Sequence, residues 1–63
     1  MLTTRERECL QGRAEGLMDK EVARVLHLDT KTVKTHLERA RRRLNAKNTA
    51  HAAAKAFVRG EIV

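Results

Sequence analysis

The sequence predicts an all-α fold, a four-helix bundle containing a helix-turn-helix, and three observations carry that prediction. Apolar residues recur at helical spacing, most clearly at Val33, Leu37, Ala40 and Leu44, which are 4, 3 and 4 residues apart. Proline is absent and glycine occurs three times, so the turn residues that punctuate sheet proteins are scarce. Residues suited to helix starts (Thr3, Asp29, Asn48) alternate along the chain with residues suited to helix stops (Gly16, Asn45, Gly60).

The first helix is expected at about residues 4–15. Thr3-Thr4-Arg5-Glu6 has the form of a capping box, in which a Thr hydroxyl accepts from the third amide while the Glu side chain reaches back. Cys9, Leu10, Arg13, Ala14 and Leu17 form its inward stripe, and Gly16 is its left-handed stop with Leu17 as the apolar contact behind it. Gly12, inside this helix, should cost about 1 kcal/mol relative to Ala. The second helix, about 19–26, turns Val22, Ala23 and Leu26 inward, and His27-Leu28 makes a turn. Asp29 is the expected cap of the third helix, about 30–44, which ends at Asn45. Asn48 or Thr49 starts the last, about 49–59, and Gly60 ends it.

The chain is read as one domain, residues 1–63, with the helix-turn-helix at about 19–38. A chain of this length buries only about 60% of the surface it exposes when unfolded. Its one aromatic residue is Phe57, so Leu, Val, Ile and Ala must build the core. No apolar run reaches membrane-spanning length and no signal-peptide pattern appears, so the expectation is a soluble, cytoplasmic protein or a fragment of one, with no membrane partner. Cys9 stands alone and reads as a small buried hydrophobe; His27, His36 and His51 are 9 and 15 residues apart, which is no metal-ligand spacing. No metal, cofactor or catalytic group is predicted, since no nucleophile, base and orienting residue cluster, and the chain reads as a non-enzyme.

Charge is informative because it is uneven. Residues 1–30 hold five Lys/Arg and six Asp/Glu; residues 31–63 hold nine and two, within a total of +6. That asymmetry is the footprint of a surface meeting a polyanion, although a solvated basic helix would carry it as well.

The middle of the chain narrows the choice. Ala23 and Val33 are ten residues apart with a three- or four-residue turn between their helices, which forces a steep crossing, with close approach at Ala23. Val33 and Leu37 then fill the space beneath, and the opposite face presents Lys31, Lys34, Thr35, Glu38 and Arg42. In a helix-turn-helix that face enters the major groove of duplex DNA. Lys34 can donate to guanine, Thr35 can touch a thymine methyl or an edge, and Glu38 can accept from cytosine N4. Lys31 and Thr32, near the positive helix end, suit phosphates. Arg39, Arg41, Arg42 and Arg43 cannot all face one groove; Arg42 is placed nearest the DNA.

These residues resemble the C-terminal DNA-binding domain of the LuxR (GerE-type) bacterial transcription regulators. The resemblance runs from Leu2 to Val63 through Leu2-Thr3-Thr4-Arg5-Glu6-Arg7-Glu8, Ala14-Glu15-Gly16-Leu17, Lys20-Glu21-Val22-Ala23, Thr32-Val33-Lys34-Thr35-His36-Leu37, Arg43-Leu44 and Gly60-Glu61-Ile62. It implies sequence-specific duplex binding through the third helix, with base contacts at Lys34, Thr35 and Glu38. Phosphate contacts are implied around Thr32, His36 and Lys20, beside Lys31 and Arg42. The resemblance also implies a homodimer through the last helix on two-fold-related half-sites, its interface at Ala50, Ala53, Ala54, Phe57 and Val58. The stretches around Asn45 and from Asn48 to Ala52 look more like autoinducer-responsive, quorum-sensing members than phosphorylated ones. Family members normally carry an N-terminal sensing domain, so the chain is expected to be an excised domain or a naturally short regulator. Three positions depart from the pattern: Met18 replaces a capping Ser, with Asp19 as the expected substitute; Glu38 replaces a basic or polar residue; and Asn45 replaces Gly. The alternative reading is a protein–protein module whose basic face binds an acidic partner, an RNA polymerase subunit or an anti-regulator. A membrane-surface helix is disfavoured, since the stripe from Val33 to Leu44 lacks aromatic anchors.

Overall fold

The computed structural model describes all residues 1–63 and contains four helices and no strand: α1 (Thr4–Ala14), α2 (Asp19–Leu26), α3 (Thr30–Arg43) and α4 (Thr49–Val58). α1 and α3 each touch the other three helices, whereas α2 and α4 do not touch one another. The expected all-α architecture is present, with the ends of α1, α3 and α4 one residue shorter than predicted.

One device stops all four helices. The positive-φ residues Gly16, His27, Asn45 and Gly60 each follow a helix by one or two positions. In each case the next amide reaches back across the last turn: Leu17 N–H to Gly12 C=O at 3.0 Å, Leu28 to Ala23 at 2.8 Å, Ala46 to Arg41 at 2.9 Å, Glu61 to Ala56 at 2.8 Å. This bond absorbs carbonyls that the helix leaves without partners. Gly16, Asn45 and Gly60 were expected in this role. His27, at φ 57°, was not.

The starts are less uniform. The α1 capping box forms as predicted: Glu6 N–H donates to Thr3 Oγ1 and Thr3 N–H donates to Glu6 Oε1, both at 3.1 Å. At α2 the expectation that Asp19 caps is corrected. Met18 occupies the cap position without a side-chain bond to the helix, and Glu21 Oε1 accepts from Met18 N–H at 2.8 Å. Asp19 is the first helical residue instead and lies 3.6 Å from Arg13. Asp29 holds the α3 cap position by backbone conformation alone, while Asn48 Oδ1 accepts from His51 N–H at 2.8 Å to cap α4.

Val33, Leu37, Ala40 and Leu44 are buried as one stripe against Leu10, Val22, Ala23 and Ala52, in a single core that also takes Leu2, Cys9, Ala46, Ala56 and Ile62. Cys9 is fully buried, and loss of solvent pushes its thiol pKa up, which keeps it inert. Two expected positions on the α1 stripe are corrected: Ala14 is exposed and Arg13 is half-buried. Their places are taken by Gly12 and Glu6, the latter 1% exposed. Glu6 is paired where it lies, with Arg43 Nε of α3 at 3.0 Å from Oε1.

At Gly12 α1 lies close against Val22 of α2. A Cβ there would stand 2.8 Å from Cγ2 of Val22, a side chain with little rotamer freedom in a helix. Gly12→Ala gains about 1 kcal/mol of helix propensity against an overpacking cost of about 1–3 kcal/mol, so a net destabilisation of up to about 2 kcal/mol is expected. Urea unfolding reads it; an unchanged or raised midpoint would mean that the helices separate at little cost.

Candidate nucleic-acid interface

With Val33, Leu37 and Ala40 turned inward, helical periodicity places Lys31, Lys34, Thr35, Glu38, Arg39 and Arg42 together on the outer face of α3. They line a shallow concavity of about 400 Å³ that contains no hydrophobic residue. All six are exposed. Sequence reasoning assembled five of them; it left Arg39 within an undivided basic run.

The chemistry of each group follows from its neighbours. Lys31, Lys34 and Arg39 have no hydrogen-bond or ion-pair partner within the chain, so their charges are available to a ligand. Thr35 Oγ1 donates to Lys31 C=O at 3.1 Å, which leaves its methyl and its lone pairs facing outward. Glu38 accepts from Arg41 Nε at 3.0 Å, from Arg41 Nη2 at 2.6 Å and from Arg42 Nε at 2.9 Å. The hydrogen bonds from Arg41 and Arg42 hold its carboxyl down at about 2, so it stays ionised throughout the physiological range. Arg42 is 74% exposed at its side chain, and its terminal nitrogens make no bond within the protein.

The four arginines therefore divide by role. Arg43 turns to the buried Glu6, Arg41 bridges Glu38 and the Ala46 carbonyl, Arg42 rests on Glu38, and Arg39 alone is unpaired.

The other expected phosphate groups lie at the margins. Lys20 is exposed in the first turn of α2, and Thr32 is half-buried in the first turn of α3. His36 is also half-buried, and its Nδ1 is out of solvent with no partner, which leaves Nε2 as the only ring nitrogen for an outside ligand. A second exposed face lies on α4. Ala50, Ala54, Phe57 and Val58 are exposed and Ala53 is half-buried, opposite the buried Ala52 and Ala56. Phe57 and Val58 leave 65% and 84% of their surface in solvent.

The family described as bacterial regulatory proteins, luxR family (GerE) matches residues 1–56, most of the chain. The chain belongs to that family. Among relatives of this luxR-family domain, YhjB of Escherichia coli (strain K12), named as an HTH-type transcriptional regulator, is 48% identical over 52 residues, which is 82% of this chain and 26% of that protein. The transcriptional activator protein LuxR of Aliivibrio fischeri is 36% identical over 61 residues, 97% of this chain and 24% of its own. VjbR of Brucella abortus (strain 2308), named as quorum sensing-dependent, is 40% identical over 62 residues, 98% and 24%. The luxR-family chain thus spans about a quarter of the length of these relatives. A solved structure of the transcription factor GerE superposes with a TM-score of 0.93 at 27% identity, covering 98% of this chain and 92% of that one. The helix-turn-helix fold of the family is the fold of this chain.

Proposed function

We propose that this domain binds duplex DNA sequence-specifically as part of a bacterial transcription regulator, with α3 in the major groove. The observation that carries the reading is the division of α3 into a buried apolar stripe and an open face on which Lys31, Lys34 and Arg39 carry unpartnered charge. An α-helix is the element the major groove admits, and such groups meet phosphates and base edges there.

Within this reading Lys34 and Thr35 face base edges beside Glu38. Lys20, Lys31, Thr32, His36 and Arg42 hold phosphates and set the register. The apolar face of α4, from Ala50 to Val58, would pair with its copy in a second chain and fix two half-sites in a two-fold arrangement. Its exposed Phe57 supports this role, because an aromatic anchor of that exposure gains by burial. The activity so described belongs in the cytoplasm.

Selection of bound duplexes from a random library supplies the cognate site for the test. Lys34→Ala should then weaken cognate binding by about 1–3 kcal/mol while binding to random duplex changes much less. Equal loss on both would show Lys34 to be a phosphate anchor. Failure of the native chain to enrich any duplex would overturn the reading.

A further inference from the structure

Glu38 has the opposite charge to every other ionisable group on the outer face of α3. A bare carboxylate there would be repelled by the phosphates of a bound duplex. Its surroundings have already answered that charge. Arg41 takes both carboxylate oxygens, Arg42 takes Oε2 a second time, and Arg41 Nη1 donates to Ala46 C=O at 2.8 Å in the turn between α3 and α4. The contacts run unbroken from fixed backbone through Arg41 to Glu38 and on to Arg42. Three long side chains are thereby joined in one hydrogen-bonded chain before any ligand arrives.

An ionised carboxylate offers about four lone-pair positions. Three bonds are accepted within the chain, so about one lone pair remains, and it can be met only by a donor. Among base edges in the major groove, guanine presents O6 and N7 and thymine presents O4, all acceptors. Adenine sets its N6 donor beside the N7 acceptor. Cytosine alone offers an amino donor with no acceptor of its own beside it.

We propose that Glu38, clamped by Arg41 and Arg42, is a charge-compensated acceptor that selects cytosine at one position of the bound site. Arg41 and Arg42 are its positioning residues. The inference rests on the reading of α3 as the major-groove element. Selection works in two ways: cytosine N4 satisfies the free lone pair, and an acceptor from guanine or thymine is repelled. Arg42 keeps its terminal nitrogens for a neighbouring phosphate. A glutamine at position 38 would lose the charge that grips the arginines, and its amide can match adenine N6 and N7 at once.

The test is duplex selection from a random library with the native chain, Glu38→Gln and Arg41→Gln, with circular dichroism melts to establish that both variants are folded. The native chain should enrich cytosine at one position by at least about fivefold over other bases. Glu38→Gln should abolish that preference or move it to adenine, leaving the other positions unchanged, and Arg41→Gln should weaken the same position alone. If Glu38→Gln keeps every native preference, however tightly it binds, Glu38 only moderates affinity and the proposal is overturned. If Arg41→Gln leaves the cytosine preference intact, the positioning role is overturned. Enrichment of no duplex by the native chain would instead overturn the major-groove reading on which the inference stands, and the two failures are thereby told apart.

Discussion

Replacing Leu37 with alanine is expected to lower the unfolding free energy by about 2–5 kcal/mol. Leu37 is 5% exposed at the centre of the α3 stripe, between Val33 and Ala40, and α3 packs on all three other helices. Truncation removes apolar contacts and leaves a cavity that the surrounding core fills only in part. The consequence is large because the domain is small. At about 0.05–0.15 kcal/mol per residue, a chain of 63 residues has roughly 3–9 kcal/mol in hand. A thermal melt should therefore shift down by at least about 10 °C, and the variant should be partly unfolded at 25 °C in the lower part of that range. Thr35→Ala, two residues away on the open face, serves as the control and should stay within about 0.5 kcal/mol of the native chain. Coincident melts for Leu37→Ala and the native chain would mean that the stripe is not the core.

The same helix shows how far the sequence could be read and where it could not. Its inner stripe was legible because four apolar residues keep helical spacing over three turns, and burial of one face follows directly. Gly16, Asn45 and Gly60 were legible as stops because glycine and asparagine tolerate positive φ. His27 was read only as part of a turn, although histidine, like asparagine, is enriched among the non-glycine residues that adopt positive φ, so this signal was present and passed over. Burial of Glu6 was hidden because Glu is almost never interior unless paired, and its partner Arg43 lies 37 positions away. Ala14 was misplaced because helical spacing alone does not say how wide the buried stripe is.

For the candidate interface, the exposed set from Lys31 to Arg42 follows from the same periodicity, as its complement. What spacing also offered, and was passed over, is the Glu38–Arg41 and Glu38–Arg42 pairing, three and four residues apart on one helix face. That signal separates Arg39, with its free charge, from its neighbours in the run. The open α4 face was read through resemblance alone, since alanine-rich segments are good helix formers wherever they pack.

The steepest response expected of this chain is the loss of duplex affinity with salt. Each phosphate neutralised by Lys or Arg releases condensed counterions, so log affinity should fall linearly with log salt at a slope of about −0.9 per contact. Lys20, Lys31 and Arg42 are the cations assigned to phosphates, and the terminal nitrogens of Arg42 are free, so a single domain should show a slope of about −3. Two domains joined through α4 on paired half-sites would double it to about −6. Between 50 and 200 mM salt the first case loses about 50-fold in affinity and the second about 10³–10⁴-fold. Phe57→Ala discriminates between them, because Phe57 is 65% exposed and contributes little to the fold. If α4 joins the two chains, this substitution should return the slope from about −6 to about −3 on the same duplex. A steep slope that Phe57→Ala leaves untouched would move the dimer contact elsewhere. A slope near zero would remove phosphate neutralisation by the α3 face, and with it the docking geometry on which the base contacts depend.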